Sequence, residues 1–233
     1  MEKRGIIVYP RDGNGSGFNT AEWGWTLTSF HLSDMEPKTY LVDKPGGHGS
    51  WDLSDSLTDG LPRYKDRTLT ATLECSVGTM EERRTNMSNL INPYNGKRCR
   101  ITGPGTGERK ERKYVAGRVQ VVINYHNLAH TSITITAVCD PWVYPYNDTA
   151  LTFTATEEVK TTSLSTMGVM ETIPTVTVYG GPVRLKYNGV TREFSAGTYV
   201  LPDAKLVYGQ SLYIEFSGSG TARITYKVGY VFL

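Results

Sequence analysis

The chain has 233 residues, a net charge of only +2, 39% hydrophobic and 21% charged residues. This is enough for one large or two small domains of ordinary soluble balance, and the net charge is too small to predict nucleic-acid or membrane binding from bulk electrostatics. No apolar run is long enough to span a bilayer, and the N-terminus, Met1-Glu2-Lys3-Arg4-Gly5-Ile6, lacks the apolar core of a signal peptide, so the product is expected to stay in the cytoplasm where it is made.

Heavy use of Tyr (15), with plentiful Thr, Val and Gly, favours β-structure and tight turns. Ile6 to Tyr9 is a short apolar run, followed by a Gly-rich turn, Asp12 to Gly17. Strand candidates follow at Trp25 to Phe30 and Tyr40 to Asp43. Pro45 to Arg67, PGGHGSWDLSDSLTDGLPRYKDR, opens as a Gly/Pro turn. Asp52 reads as a turn or cap residue, and Asp66 as a local hydrogen-bond acceptor. Leu69, Ala71, Leu73 and Cys75 then alternate with Thr68, Thr70, Thr72 and Glu74, a half-buried strand. Thr79 with Glu82 three residues later forms a capping box. The helix it opens places Met80, Met87, Leu90 and Ile91 near one face and stops at Asn92-Pro93. Asn95-Gly96 turns into a strand at Lys97 to Thr102. Gly103 to Lys113 is a polar, mixed-charge loop. Val115 to Asn124 and Ile133 to Cys139 are strands, and Asp140-Pro141-Trp142 closes the block.

Tyr144 to Ala150 is rich in Tyr, Pro and Asn and reads as a linker, dividing the chain into residues 1–145 and 146–233. Beyond it, Val176 and Val178, Val183 to Tyr187, Phe194, Tyr199 to Leu201, Leu206 to Tyr208, Leu212 to Phe216 and Ala222 to Tyr230 read as short strands. Asn188-Gly189 is the strongest hairpin signal in the chain. Regular strands without a helix predict a small β-sandwich. The fold class is therefore mainly β: a split barrel or sandwich with one helix, then an all-β sandwich.

The chemistry-bearing residues read as structural. The three cysteines are odd in number and lack CxxC spacing, so Cys75, Cys99 and Cys139 are expected to be buried free thiols. His126 and His130 lie in a loop between strands, without the glutamate of a helical metal motif. Gly103 to Lys110 lacks the Gly-Lys-Ser/Thr ending of a phosphate loop. Asp52, Asp55, Asp59 and Glu74 form no pair whose spacing demands glycoside hydrolysis. No catalytic residue, cofactor or metal is assigned. Trp23, Trp25, Trp51 and Trp142 are best read as core or interface residues.

Pro45, Gly46, Gly49, Asp52, Leu53, Ser54, Tyr64, Asp66 and Arg67 resemble the pattern of the siphophage distal tail protein family. That pattern is Pro-Gly-Arg-Asp-Gly-x-x-Asp-Leu-Ser/Thr, a polar spacer, then Tyr-x-Asn/Asp-Arg and a strand. Gly47-His48 departs from it where Arg-Asp is usual. Leu90-Ile91-Asn92 to Asn95-Gly96-Lys97, Tyr114 to Val119 with Gly117 and Arg118, and Ile133 to Trp142 continue the resemblance in order. It implies a tail-tube-like domain at 1–145 that forms a hexameric ring. The ring joins the tail-tube protein to the tail-tip hub and receptor-binding proteins around a DNA channel. It also implies a galectin-like sandwich at 146–233 and a place at the virion tail tip after assembly in the host cytoplasm. The Pro45 to Pro62 segment and the Gly103 to Lys113 hairpin are the expected arms toward a neighbouring copy. The alternative is a carbohydrate-binding adhesion module of the tail tip using the C-terminal sandwich, although that short segment leaves little room for long binding loops.

Overall fold

The computed structural model describes residues 5–11, 17–56, 61–104 and 113–231. The chain divides into two compact units, the first taking residues up to 143 and the second beginning at Tyr144. The strands of the first unit are β1 (Ile7–Pro10), β2 (Phe18–Asn19), β3 (Thr26–Leu32), β4 (Leu41–Asp43), β5 (Ser50–Asp52), β6 (Arg67–Cys75), β7 (Arg98–Thr102), β8 (Lys113–His126) and β9 (Thr131–Pro145), with helix α1 (Met80–Tyr94) between β6 and β7. Seven of them form one curled, half-barrel sheet in the order β2-β1-β7-β8-β9-β6-β3, while β4 and β5 form a separate two-stranded sheet.

The alternation at Leu69 to Cys75 places those four side chains in the core. Across the sheet they meet Ala137, Ile135, Ile133 and Thr131 in antiparallel register. Residue period and strand pleat share a repeat of two, so one apolar face closes against the interior. The capping box forms as expected: the Glu82 amide donates to Thr79 Oγ1 at 3.2 Å and the Thr79 amide to Glu82 Oε2 at 2.6 Å. The buried stripe of α1 is Arg83, Met87, Leu90 and Tyr94. Met80 is exposed and Ile91 only half-buried, so the expected face is displaced toward the arginine. Pro93 sits inside the last turn rather than ending the helix. Lacking an amide hydrogen, it cannot donate to the Asn89 carbonyl, and the helix ends within two residues. The stop is a type II turn, with Asn95 extended, Gly96 at φ 74° and the Lys97 amide donating to the Tyr94 carbonyl.

The second unit contains β10 (Thr149–Thr154), β11 (Lys160–Ser165), β12 (Thr175–Tyr187), β13 (Val190–Phe194), β14 (Gly197–Val200) and β15 (Ser211–Tyr226). Strand β12 contributes two arms, and so does β15. Residues 175–180 of β12 pair with residues 220–225 of β15, flanked by β14 and β10. Residues 183–186 of β12 pair with residues 215–218 of β15, flanked by β13 and β11. Between the arms, Gly181 and Pro182 of β12 stand opposite Ser219 alone, a bulge. The bulge switches the buried positions of β12 from Val176 and Val178 to Val183, Leu185 and Tyr187, while β15 keeps Leu212, Ile214, Phe216, Ala222 and Ile224 inward throughout. A Cβ on Gly220 would lie 2.0 Å from the Gly181 carbonyl oxygen, so only glycine fits this corner. Both leaves face one apolar cluster, which makes the unit a β-sandwich.

Three expectations change here. Tyr144 and Pro145 continue β9 and β10 starts at Thr149, so only residues 146–148 of the expected linker lie outside strands. Strand β11 was masked in the sequence by its hydroxyl-rich composition, in which Leu164 is the one fully buried side chain. Leu206 makes only an isolated bridge with Thr172, so Leu206 to Tyr208 is not a strand. Asn188-Gly189 does make the β12–β13 turn, with φ 48° and 77°.

Candidate assembly surface

The Gly/Pro-rich stretch folds as the β4–β5 hairpin. Leu41 pairs with Asp52, Val42 with Trp51, and Asp43 with Ser50, whose hydroxyl donates to Asp43 Oδ1 at 2.9 Å. Pro45, Gly46 and Gly49 form its exposed tip, and both glycines have positive φ. Asp52 is a cap: its Oδ1 accepts the Ser54 amide at 2.9 Å and the Ser54 hydroxyl at 2.5 Å. The Ser54 hydroxyl oxygen in turn accepts the Tyr40 amide, and the Leu53 amide donates to the Tyr40 carbonyl. The Ser54 side chain first, and then its amide, hold the Asp52 carboxyl below the usual carboxylate range.

The hairpin leaves much of its apolar surface in water. Tyr40 is 62% exposed, Leu41 59%, Trp51 51% and Leu53 41%. A two-stranded hairpin is marginal without a packing partner, and clustered exposed apolar side chains mark an interaction surface.

At the root of this arm, Pro37 and Tyr64 form an antiparallel bridge, reinforced by the Lys38 amide to the Arg63 carbonyl and the Lys65 amide to the Glu36 carbonyl. The Tyr64 ring stands edge-on to Trp142, with centroids 5.3 Å apart. Arg67 is buried: its Nε donates to the Ser33 carbonyl at 2.6 Å and its Nη1 reaches the Pro141 carbonyl at 3.5 Å. Asp66 corrects the sequence reading. It is exposed and accepts no hydrogen bond among the described residues, because it sits one residue outside β6 and points to solvent.

Gly117 and Arg67 meet around a third residue, Cys139. Arg67 pairs with Cys139 across β6 and β9, and a Cβ on Gly117 would lie 2.5 Å from Cys139 Sγ and 2.7 Å from the Val138 carbonyl oxygen. Burial first, and then Asp140, push the Cys139 thiol up to about 12, so it stays protonated. Arg118 faces Arg98 across β7 and β8. The like charges are satisfied separately, Arg98 by Asp140 at 2.5 Å and Arg118 by the Gly96 carbonyl at 2.5 Å. The residues singled out in the sequence thus divide into the hairpin (Pro45, Gly46, Gly49, Asp52, Leu53, Ser54), its root (Tyr64, Asp66, Arg67) and the β8 strand (Gly117, Arg118).

The other candidates have structural occupations. Glu74 accepts the Tyr125 hydroxyl at 3.1 Å, while Asp52 caps the hairpin. Asp59 and most of the Gly103 to Lys113 arm lie outside the described residues. His126 Nδ1 is 2.7 Å from Thr131 Oγ1, and the His130 ring stacks edge-on to Tyr125. No cluster of three metal-ligating side chains occurs among the described residues. All three cysteines are buried and free.

Sequence reasoning missed Arg83. It is 1% exposed, yet every contact it makes is to a neutral oxygen. Nη1 donates to the Gly78 carbonyl at 2.6 Å, Nη2 to the Asn127 and Leu128 carbonyls at 2.8 and 2.9 Å, and Nε to Thr131 Oγ1 at 3.2 Å. It fastens the β8–β9 turn to the start of α1 and holds Leu128 outward in solvent. An arginine at a helical core position reads as polar in any periodicity count, so only its fully satisfied fork reveals the role.

No family model and no curated protein matches this chain. Solved structures do. The Dit protein of phage SPP1, described as a paradigm of the hub adsorption apparatus in phages infecting Gram-positive bacteria, is similar at TM-score 0.64 and 12% identity, covering 97% of this chain and 99% of that one. A chain of the phage p2 baseplate in its activated conformation is similar at 0.52 with strontium (9% identity) and 0.50 with calcium (10% identity), each covering 99% of both chains. The chain has the fold of these phage hub and baseplate proteins over nearly its whole length.

Proposed function

We propose that this chain is a structural hub protein of a phage tail. Six copies form a ring at the distal end of the tail tube, and DNA passes through its channel without being read. Residues 1–145 build the ring and residues 146–233, a galectin-like sandwich, are carried by it. The partners are further copies of this chain, the tail-tube protein, the tail-tip hub protein and a receptor-binding protein. The chain works at the virion tail tip after assembly in the host cytoplasm, as a scaffold and not an enzyme.

The β4–β5 hairpin carries this reading. Closed rings repeat one heterologous interface by rotation, so each copy needs an element that reaches out and a body that receives it. An arm with Tyr40, Leu41, Trp51 and Leu53 open to water fits the reaching element, and tryptophan and tyrosine are the side chains that dominate such contacts. The likeness to hub and baseplate proteins supports it.

Negative-stain electron microscopy of the purified chain, alone and with tail-tube protein, tests the proposal. Six-fold rings are expected in at least one condition. A Leu41→Ser, Trp51→Ser double variant is expected to lose them while keeping its circular dichroism. A monomer at high micromolar concentration in both conditions overturns the reading.

A further inference from the structure

The second unit shows solvent two unlike outer faces. On the leaf built with β11 and β13, outward charges are matched: Lys186 with Glu215 at 3.0 Å and Arg184 with Glu193 at 2.7 Å. On the leaf built with β10 and β14, the register sets Thr152, Arg223, Thr177 and Thr198 side by side across four strands. Their neighbours along the chain, Leu151, Ile224 and Val176, pack on the core, which fixes this row as outward. Hydroxyls continue on both sides of it: Thr154 beside Thr221, and Thr225 beside Thr175. Adjacent strands are about 4.8 Å apart and same-face residues about 7 Å apart, so the hydroxyls form a shallow lattice about 14 Å across.

Arg223 is exposed at the centre of this lattice and has no ion pair or hydrogen bond among the described residues. No carboxylate stands in the three rows around it. The hydroxyls are already ordered by one another: Thr177 with Thr198 at 3.1 Å and Thr154 with Thr221 at 3.3 Å. Each hydroxyl both donates and accepts, as sugar hydroxyls do. The planar arginine fork suits the paired oxygens of a carboxylate, sulfate or phosphate. Tyr179 is exposed at one corner, and a tyrosine ring is a suitable surface for the apolar side of a sugar.

We propose that this face binds an acidic polysaccharide, with Arg223 on the anionic group and the flanking threonines on the hydroxyls. A flat lattice needs no long binding loops, which removes the objection that the segment is too short for them. Charge complementarity selects the occupant, since the one formal charge on the lattice is an unmatched cation. A docking face for protein would instead centre on large apolar anchors ringed by polar residues, and here the order is reversed. The site lies within one copy of the second unit, so it is independent of ring formation.

The full-length chain is titrated by calorimetry with polygalacturonate, dextran sulfate and phosphomannan, and with neutral dextran and polyglutamate as controls. At least one acidic polyhydroxylated polymer is expected to bind tenfold or more tightly than either control. Arg223→Gln is expected to weaken that binding at least tenfold, and Thr152→Val and Thr177→Val about threefold each. Lys186→Gln, on the opposite leaf, is expected to leave it unchanged. Failure of all three polymers, equal binding by Arg223→Gln, or equal binding of polyglutamate overturns the proposal. So does a tail protein that depends on Arg223 where no polymer binds.

Discussion

Replacing Arg83 with methionine removes a buried guanidinium while keeping an unbranched side chain of good helix propensity. Four acceptors lose their donors: the Gly78, Asn127 and Leu128 carbonyls and Thr131 Oγ1. Hydrogen bonds to a charged group contribute about 1.5–3 kcal/mol each. Against that stands the cost of keeping the cation out of water, several kcal/mol, which the variant no longer bears. The difference leaves a loss of about 3 kcal/mol. Trp23, Trp25, Trp51 and Trp142 all fall in the first unit, so tryptophan fluorescence during urea unfolding reports on the unit that contains Arg83. At a slope of about 2 kcal/mol/M the midpoint is expected to fall by about 1.5 M. Arg83→Lys is expected to recover less than half of the loss, because one ammonium cannot span four acceptors set for a planar fork. A loss under about 1 kcal/mol for Arg83→Met, or full recovery by lysine, refutes the view that the geometry of the fork ties the turn to the helix.

Gly117→Ala is expected to cost about 1–3 kcal/mol by overpacking against Cys139 and the Val138 carbonyl. The same urea experiment in a Cys139→Ala background is expected to show a smaller cost, since one of the two clashes is gone. Asp52 is held as the carboxylate, so its contribution to hairpin stability is present above the ordinary aspartate value of 3.8 and is lost as pH falls through its lowered folded value. The Ser54 amide resonance is expected to titrate with a midpoint below 3.8 and to become flat in Asp52→Asn. A midpoint at or above that value rejects the capping role.

The strand at Leu69 to Cys75 and the helix start at Thr79 were legible because both follow from local geometry: a repeat of two on a pleat, and a side chain that reaches its own N3 amide. Asn188-Gly189 was legible because few residue pairs accept positive φ twice in succession. What escaped depends on partners far along the chain. Arg83 has the wrong polarity for the core and belongs there only once residues 127–131 fold over it. Strand β11 has one core side chain and six residues, too little for a period. Trp51 reads as a core or interface residue in sequence, and only the isolation of its two-stranded sheet puts it, with Leu41, at the surface. The threonine lattice is a product of register: Thr152, Arg223, Thr177 and Thr198 are distant in sequence and adjacent only across strands.

The extra residue opposite Ser219 constrains how this chain can change over evolutionary time. One added residue keeps the two leaves in opposite parity along β12. A single-residue deletion there would turn Leu185 and Tyr187 outward and drive Arg184 and Lys186 inward, exchanging core for surface over half a strand. A one-residue insertion does the same. Length changes in this unit are therefore expected only in pairs at the corner, or in turns such as residues 188–189 and 201–210. The glycine corner is a point where the sequence can be substituted little and resized hardly at all, whatever happens to the faces on either side.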